Sequence, residues 1–233
     1  MMTALTQRQH SKKIAATKTT TPVVVETMEQ RTLMSVSMST GSSITNITDY
    51  SLYAQACMGD NGDPWGFAGI SSGTATEETG DAIKQWDSNL DDGLDSGLVN
   101  FTFTADRAAG TMSWAVAGAD TITYSGSFGT GISQVDLQAA ATTAGMAFSF
   151  SNVSLSFYSN NTLADTETIS SGPAVNTIGA QTSDPAESIA RVTPNASNCD
   201  KVVITGNIRL QAAQGTYPGA TDIFGAIYIH DAA

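Results

Sequence analysis

Residues 146–158 read Met-Ala-Phe-Ser-Phe-Ser-Asn-Val-Ser-Leu-Ser-Phe-Tyr. Met146, Phe148 and Phe150 occupy even positions, and Val153, Leu155 and Phe157 occupy odd ones. Apolar residues at every second position put one face of a strand into a core and leave the other to solvent. The phase slips by one residue at Ser151-Asn152, as it does at a β-bulge or strand break. The same period of two recurs on either side. Phe101 and Phe103 alternate, as do Met112, Trp114 and Val116, then Ile122 and Tyr124. Val202, Ile204, Ile208 and Leu210 predict a long strand, and Ile223 to Ile229, apolar on both faces, predicts a central one. Trp114 lies within such a run and reads as core.

Turn signals separate these runs: Ala117-Gly118, Gly129-Thr130-Gly131, Asn160-Asn161, Gly172-Pro173, Gly215 and Pro218-Gly219. Short strands at this spacing predict an all-β fold, an antiparallel β-sandwich of jelly-roll type, rather than parallel βαβ units. Helix is expected only as short turns. Asp184-Pro185-Ala186-Glu187 has the cap, the first-turn proline and the acid that open one; Ala82 to Trp86 is a second candidate. Ser133 to Ala144 carries two opposed signals. Its alanines favour helix, yet Val135, Leu137, Ala139 and Ala141 alternate, and a β-run follows directly, which favours strand.

The chain has 233 residues, a net charge of −12 and 14% charged residues. Soluble domains average about 25%; here Ser, Thr, Asn and Gly take up the difference, as in many extracellular β-proteins. Residues 1–40 hold five basic residues (Arg8, Lys12, Lys13, Lys18, Arg31) against Glu26 and Glu29, whereas the remainder holds five against twenty acids. So acidic a body repels phosphate backbones and argues against nucleic acid or an anionic membrane as partner. No apolar run reaches the ~18–20 residues of a transmembrane helix.

The front segment departs from an ordinary secretory signal, since its apolar runs are only Val23-Val24-Val25 and Leu33-Met34-Ser35-Val36. Pro22 to Ser35 nevertheless resembles the N-terminal segment of many planctomycete surface and secreted proteins. Val25-Glu26, Met28-Glu29, Arg31 and Leu33-Met34-Ser35 carry the likeness, with Met28 and Met34 in place of leucines. The resemblance implies export or surface sorting and no activity. It divides the chain into a segment of residues 1–40 and a β-domain of residues 41–233. In an exported chain Cys57 and Cys199 are expected to pair, stapling an early loop to a late one; two buried thiols are the alternative.

Three sets of residues are candidates for chemistry. Asp87, Asn89, Asp91, Asp92 and Asp95 cluster oxygens around Gly93, as a hard cation such as calcium requires, although the spacing is not that of an EF-hand. Asp60-Asn61-Gly62-Asp63 is a smaller group of the same kind, and solvated turn chemistry uses the same residues. Trp65 and Trp86 stand in loop-like surroundings where a ring could stack on a sugar or pack into a loop. His230, the sole histidine beyond residue 40, reads as a strand-end surface residue, with a catalytic base as the alternative. No nucleophile elbow, zinc-binding His-Glu-x-x-His or phosphate-binding glycine loop occurs.

These features predict a secreted or cell-surface β-domain with a structural or adhesive role, stabilised by calcium if the aspartates bind it. Its expected partners are extracellular polysaccharide, other surface proteins or further copies of itself. A carbohydrate-binding module is the first alternative, and a divergent polysaccharide-active enzyme the second.

Overall fold

A computed structural model describes residues 35–41, 43–45, 47, 49–58, 64–71, 76–83, 94–118, 120–126, 129, 131–178, 186–215 and 223–232, with 57–58, 64–71, 76–83 and 94 described by backbone alone. All regular structure in them is β. The strands are β1 (Ser35–Gly41), β2 (Tyr50–Met58), β3 (Pro64–Ser71), β4 (Thr76–Ile83), β5 (Leu94–Asp95), β6 (Val99–Asp106) and β7 (Thr111–Val116). They continue as β8 (Ile122–Ser125), β9 (Ile132–Ala141), β10 (Met146–Ser159), β11 (Thr162–Asn176), β12 (Ala186–Thr193), β13 (Lys201–Ala212) and β14 (Ile223–Asp231).

Two antiparallel sheets hold them. The first, sheet A, runs β1-β12-β9-β14-β2-β3-β4; the second, sheet B, runs β11-β10-β13-β6-β7-β8, with β5 beside β13. Eight of these strands make a nested ribbon: β10 pairs β11, β9 pairs β12, β6 pairs β13 and β2 pairs β14. Rolling that ribbon sets β9 beside β14 and β10 beside β13. This is the jelly roll, two Greek keys folded into a sandwich. The hairpins β3–β4 and β7–β8 widen it on one side.

The expected alternation decides what faces the core. Val135, Leu137, Ala139 and Ala141 point inward from β9, so the alanine-rich stretch is strand. Sheet B brings the bulk: Phe101, Phe103, Trp114, Phe148, Phe150 and Phe157 are all buried. Sheet A answers with Ala54, Ala56, Ala139, Ala141 and Gly225. A Cβ on Gly225 would collide with the ring of Phe148, so that ring needs glycine beneath it. Large side chains on one sheet thus face small ones on the other.

The phase slip at Ser151-Asn152 is a bulge. The β10–β13 register shifts between Ser151 and Ser154, and Asn152 has a φ of 50°. The Asn160-Asn161 signal is a two-residue hairpin turn with φ of 50° and 62°, values asparagine tolerates. Gly172-Pro173 is not a turn: it lies within β11, where the register against β10 shifts. Proline is admissible there because β11 is an edge strand. Ala186 and Glu187 open β12 rather than closing a helical turn, and Ala82 and Ile83 lie in β4; the rest of both helical candidates falls outside the described residues.

Two expectations change. Ser35–Gly41, grouped with the front segment in sequence, is β1, paired over all seven residues with β12. The Cys57–Cys199 bridge is absent, and Cys199 is a free, buried thiol. Cys57 stands opposite Phe224 at one end of β14, while the Cys199 carbonyl accepts from Ile132 N, opposite Asp231 at the other end. Seven residues of extended chain hold the two apart by roughly 20 Å, and a disulfide needs Cα atoms within about 7 Å.

Candidate functional site

The outward side of sheet A carries the densest polar constellation among the described residues. Alternation on β9 places Gln134, Asp136 and Gln138 on that side, opposite the core-facing Val135 and Leu137. The register sets Arg191 of β12 and Tyr228 of β14 on either side of Asp136, and His230 beside Gln134. Asp136 is fully buried, and three donors converge on it. Gln134 Nε2 donates to Oδ1 at 2.8 Å, while His230 Nε2 and Arg191 Nε lie 3.2 and 3.4 Å from Oδ2. A buried carboxylate is costly unless so satisfied; here it fixes the rings and planes of its donors. Half of the Arg191 side chain stays exposed, so the remainder of its guanidinium faces solvent.

One step along the strands lies a second set. Tyr228 Oη donates to Gln138 Oε1 at 2.8 Å. Gln138 Nε2 donates to Glu187 Oε1 and, at 3.2 Å, to the Thr45 carbonyl. Thr45 N donates to Glu187 Oε1 at 3.0 Å. These bonds explain how the chain passes from β1 at the sheet edge to β2 beyond β14: it crosses the outward face and is tied down at Thr45. Burial raises the Tyr228 phenol well above its usual range, with the neighbouring tyrosines and acids adding to the effect, so it remains a donor.

Tyr50, Tyr53 and Tyr228 form an aromatic group beside this network. Tyr50 meets the other two edge-on at 5.7 and 4.9 Å, and Tyr53 stacks on Tyr228 at 6.2 Å. Tyr50 and Tyr228 are half-buried. An aromatic platform flanked by an oriented guanidinium, an imidazole and an amide can hold a ring with polar substituents.

His230 therefore departs from its surface reading. Its side chain is only 13% exposed and is engaged by Asp136. Asp95, the described member of the calcium candidates, is committed elsewhere. Arg209 grips both its oxygens, Gly97 N donates to it, and its carboxyl is lowered to about 2, chiefly by the Arg209 bond. Asp87, Asn89, Asp91, Asp92 and Trp86 lie outside the described residues, as does Asp60-Asn61-Gly62-Asp63. Trp65 is in β3, opposite Cys57 in the ladder, rather than in a loop. Trp114 is wholly buried, as expected.

A tie at one end of the sandwich fixes the C-terminal strand. Arg107 Nη2 lies 2.5 Å from Asp231 Oδ1 and donates to Ser51 Oγ at 2.8 Å, and Ser51 Oγ donates to Asp231 Oδ1. Burial lowers the Arg107 pKa, and Asp231 opposes that shift. An open hollow of about 320 Å³ lies beside β6 and β7. Its lining, which includes Asn100, Thr102, Ala115 and Thr121, holds no carboxylate, histidine or cysteine.

The pairing scheme defines the class as a jelly-roll β-sandwich. No family model and no curated protein matches the chain. Among solved structures it is similar to the infectious bursal disease virus VP2 subviral particle, at 10% identity over 86% of this chain and 76% of that one, with a TM-score of 0.20. It is also similar to T=1 particles derived from that virus, at 12% identity over 85% of this chain and 58% of that one, with a TM-score of 0.17. Likenesses at these scores carry no argument, and the fold rests on the strand pairing alone.

Proposed function

We propose that this chain is a secreted or cell-surface, non-enzymatic β-domain with a structural or adhesive role, working through the outward face of sheet A. The observation that carries this is Asp136. A carboxylate on the solvent side of a strand is normally hydrated; this one is fully buried and gathers Gln134, Arg191 and His230. Such investment beside three tyrosines favours a prepared contact surface. Export is supported by the resemblance of Pro22 to Ser35, and the hydroxyl-rich composition is in keeping with it.

The tyrosine group on the same outward face as Arg191, across β9 from it, favours carbohydrate as the partner, with Tyr50 in the stacking role expected of Trp65 and Trp86. Affinity electrophoresis through gels carrying polygalacturonate, cellulose or a neutral β-glucan tests this. Full-length protein is retarded in at least one gel, and Arg191→Ala or Tyr50→Ala removes the retardation. Free passage through every gel rejects the carbohydrate partner, and release of reducing sugar rejects the non-enzymatic assignment. Calcium binding by Asp87, Asn89, Asp91 and Asp92 predicts a melting temperature that rises with calcium, by about 2.7 kcal/mol of stability at a hundredfold excess over Kd. Identical melting in calcium and in chelator rejects it.

A further inference from the structure

The four sheet edges are guarded unequally. An open edge offers unpaired N–H and C=O groups to any other chain, and proteins blunt it with charge, proline, bulges or brevity. β11 carries Asp165, Glu167, Gly172-Pro173 and two register shifts. The β4 sequence contains Glu77, Glu78 and Asp81, and its ladder with β3 is irregular. β8 has only four residues. β1, Ser-Val-Ser-Met-Ser-Thr-Gly, has none of these devices. It is uncharged, free of proline, and regular over seven pairs with β12; its other edge has no strand partner among the described residues. It also buries little: Val36 reaches the margin of the core, while Met38 is 49% exposed.

We infer that β1 is a strand-addition edge whose partner is β1 of a second copy, paired antiparallel about a two-fold axis at Met38. The occupant follows from three observations. The seam contains no charge, so the −12 of each copy is kept out of it. The strand complements itself: a two-fold axis at Met38 sets Met38 on Met38 and Val36 beside Thr40, covering the apolar side chains that each copy leaves exposed. The charges one strand back have opposite signs, Arg191 in the row of Ser37 and Glu187 in the row of Gly41. The two-fold axis turns the arginine half of one copy toward the glutamate half of the other. A single seven-residue ladder is a small interface, so association is weak in solution and gains strength where many copies share a surface. This inference rests on β1 and its neighbour β12 and does not depend on the carbohydrate assignment.

Sedimentation equilibrium of the full chain over two decades of concentration tests it. The wild type and Met38→Leu associate reversibly to dimers. Met38→Asp weakens the dimer by at least about tenfold, because like charges then stand opposite each other. Met38→Lys does the same, and mixing the aspartate and lysine variants restores the dimer. Thr168→Asp, on the exposed side of sheet B, leaves it intact. A wild type that is monomeric throughout, a dimer indifferent to Met38→Asp, or a mixture that fails to re-associate would each overturn the inference.

Discussion

The outward faces of the two sheets share one alternating pattern and put it to opposite uses. On sheet B the outward rows are Thr166-Ser156-Val203-Thr104 and Thr168-Ser154-Thr205-Thr102, read across neighbouring strands. These side chains are exposed or half-buried, and water meets their needs. On sheet A the corresponding positions are Gln134, Asp136 and Gln138, two of them buried, each bonded within the protein. The difference lies in the chain between β1 and β2, which crosses sheet A and is held there through Thr45. A polar residue on a strand reads as solvent-facing; once another segment crosses it, it must find partners or cost stability. Sheet B thus leaves its polar face to solvent, whereas sheet A turns its polar residues onto one another.

Substitutions sharpen this contrast, beginning beneath both faces. Gly225→Ala drives a methyl into Phe148 and is expected to cost about 3 kcal/mol. Combining it with Phe148→Leu should recover part of that loss, since the two changes share one contact; equal losses in a chemical melt would break the large-on-small account of the core. Asp136→Ala strands the His230 and Gln134 donors and should cost about 2 kcal/mol. The equivalent change on sheet B, Thr205→Ala, should fall within about 0.5 kcal/mol. Similar costs for the two would abolish the distinction between the faces.

Tyr228→Phe removes one buried hydrogen bond, worth about 1 kcal/mol at neutral pH. Its pH dependence is the sharper test. The folded pKa of Tyr228 is raised, so its contribution is complete below the ordinary tyrosine pKa of about 10 and is lost as pH rises beyond it. The variant should therefore lose less stability than the wild type in alkali. Asp95→Asn should have the smallest effect. Its folded pKa is lowered to about 2, so the Arg209 pair contributes fully above the ordinary carboxylate range of about 4 and fades as pH falls toward 2. Both partners are largely exposed, so only a slight narrowing of the wild type's advantage in acid is expected.

The sandwich was legible because period-two runs, asparagine turns and the bulge at Asn152 are local signals. The strand identity of Ile132–Ala141 was ambiguous for a physical reason: alanine favours helix in isolation, and only the phenylalanines of sheet B make small residues there an advantage. The Asp136 site was hidden because its parts come from β9, β12 and β14, brought together by register alone. Polar residues at 134, 136 and 138, alternating with the apolar ones, were the available trace of it. The Cys57–Cys199 pairing erred because compartment and count say nothing of where two residues stop along a ladder.

The most direct test of the sheet A face is retardation of Arg191→Ala against wild type in the polysaccharide gel that holds the wild type most strongly. Arg191 is half exposed but its partner Asp136 is fully buried, so its removal should cost some stability, less than Asp136→Ala does because Gln134 and His230 still hold the carboxylate. The predicted result is free migration of a variant that still unfolds in one cooperative transition. Equal retardation of both proteins would contradict the assignment of that face as the binding surface.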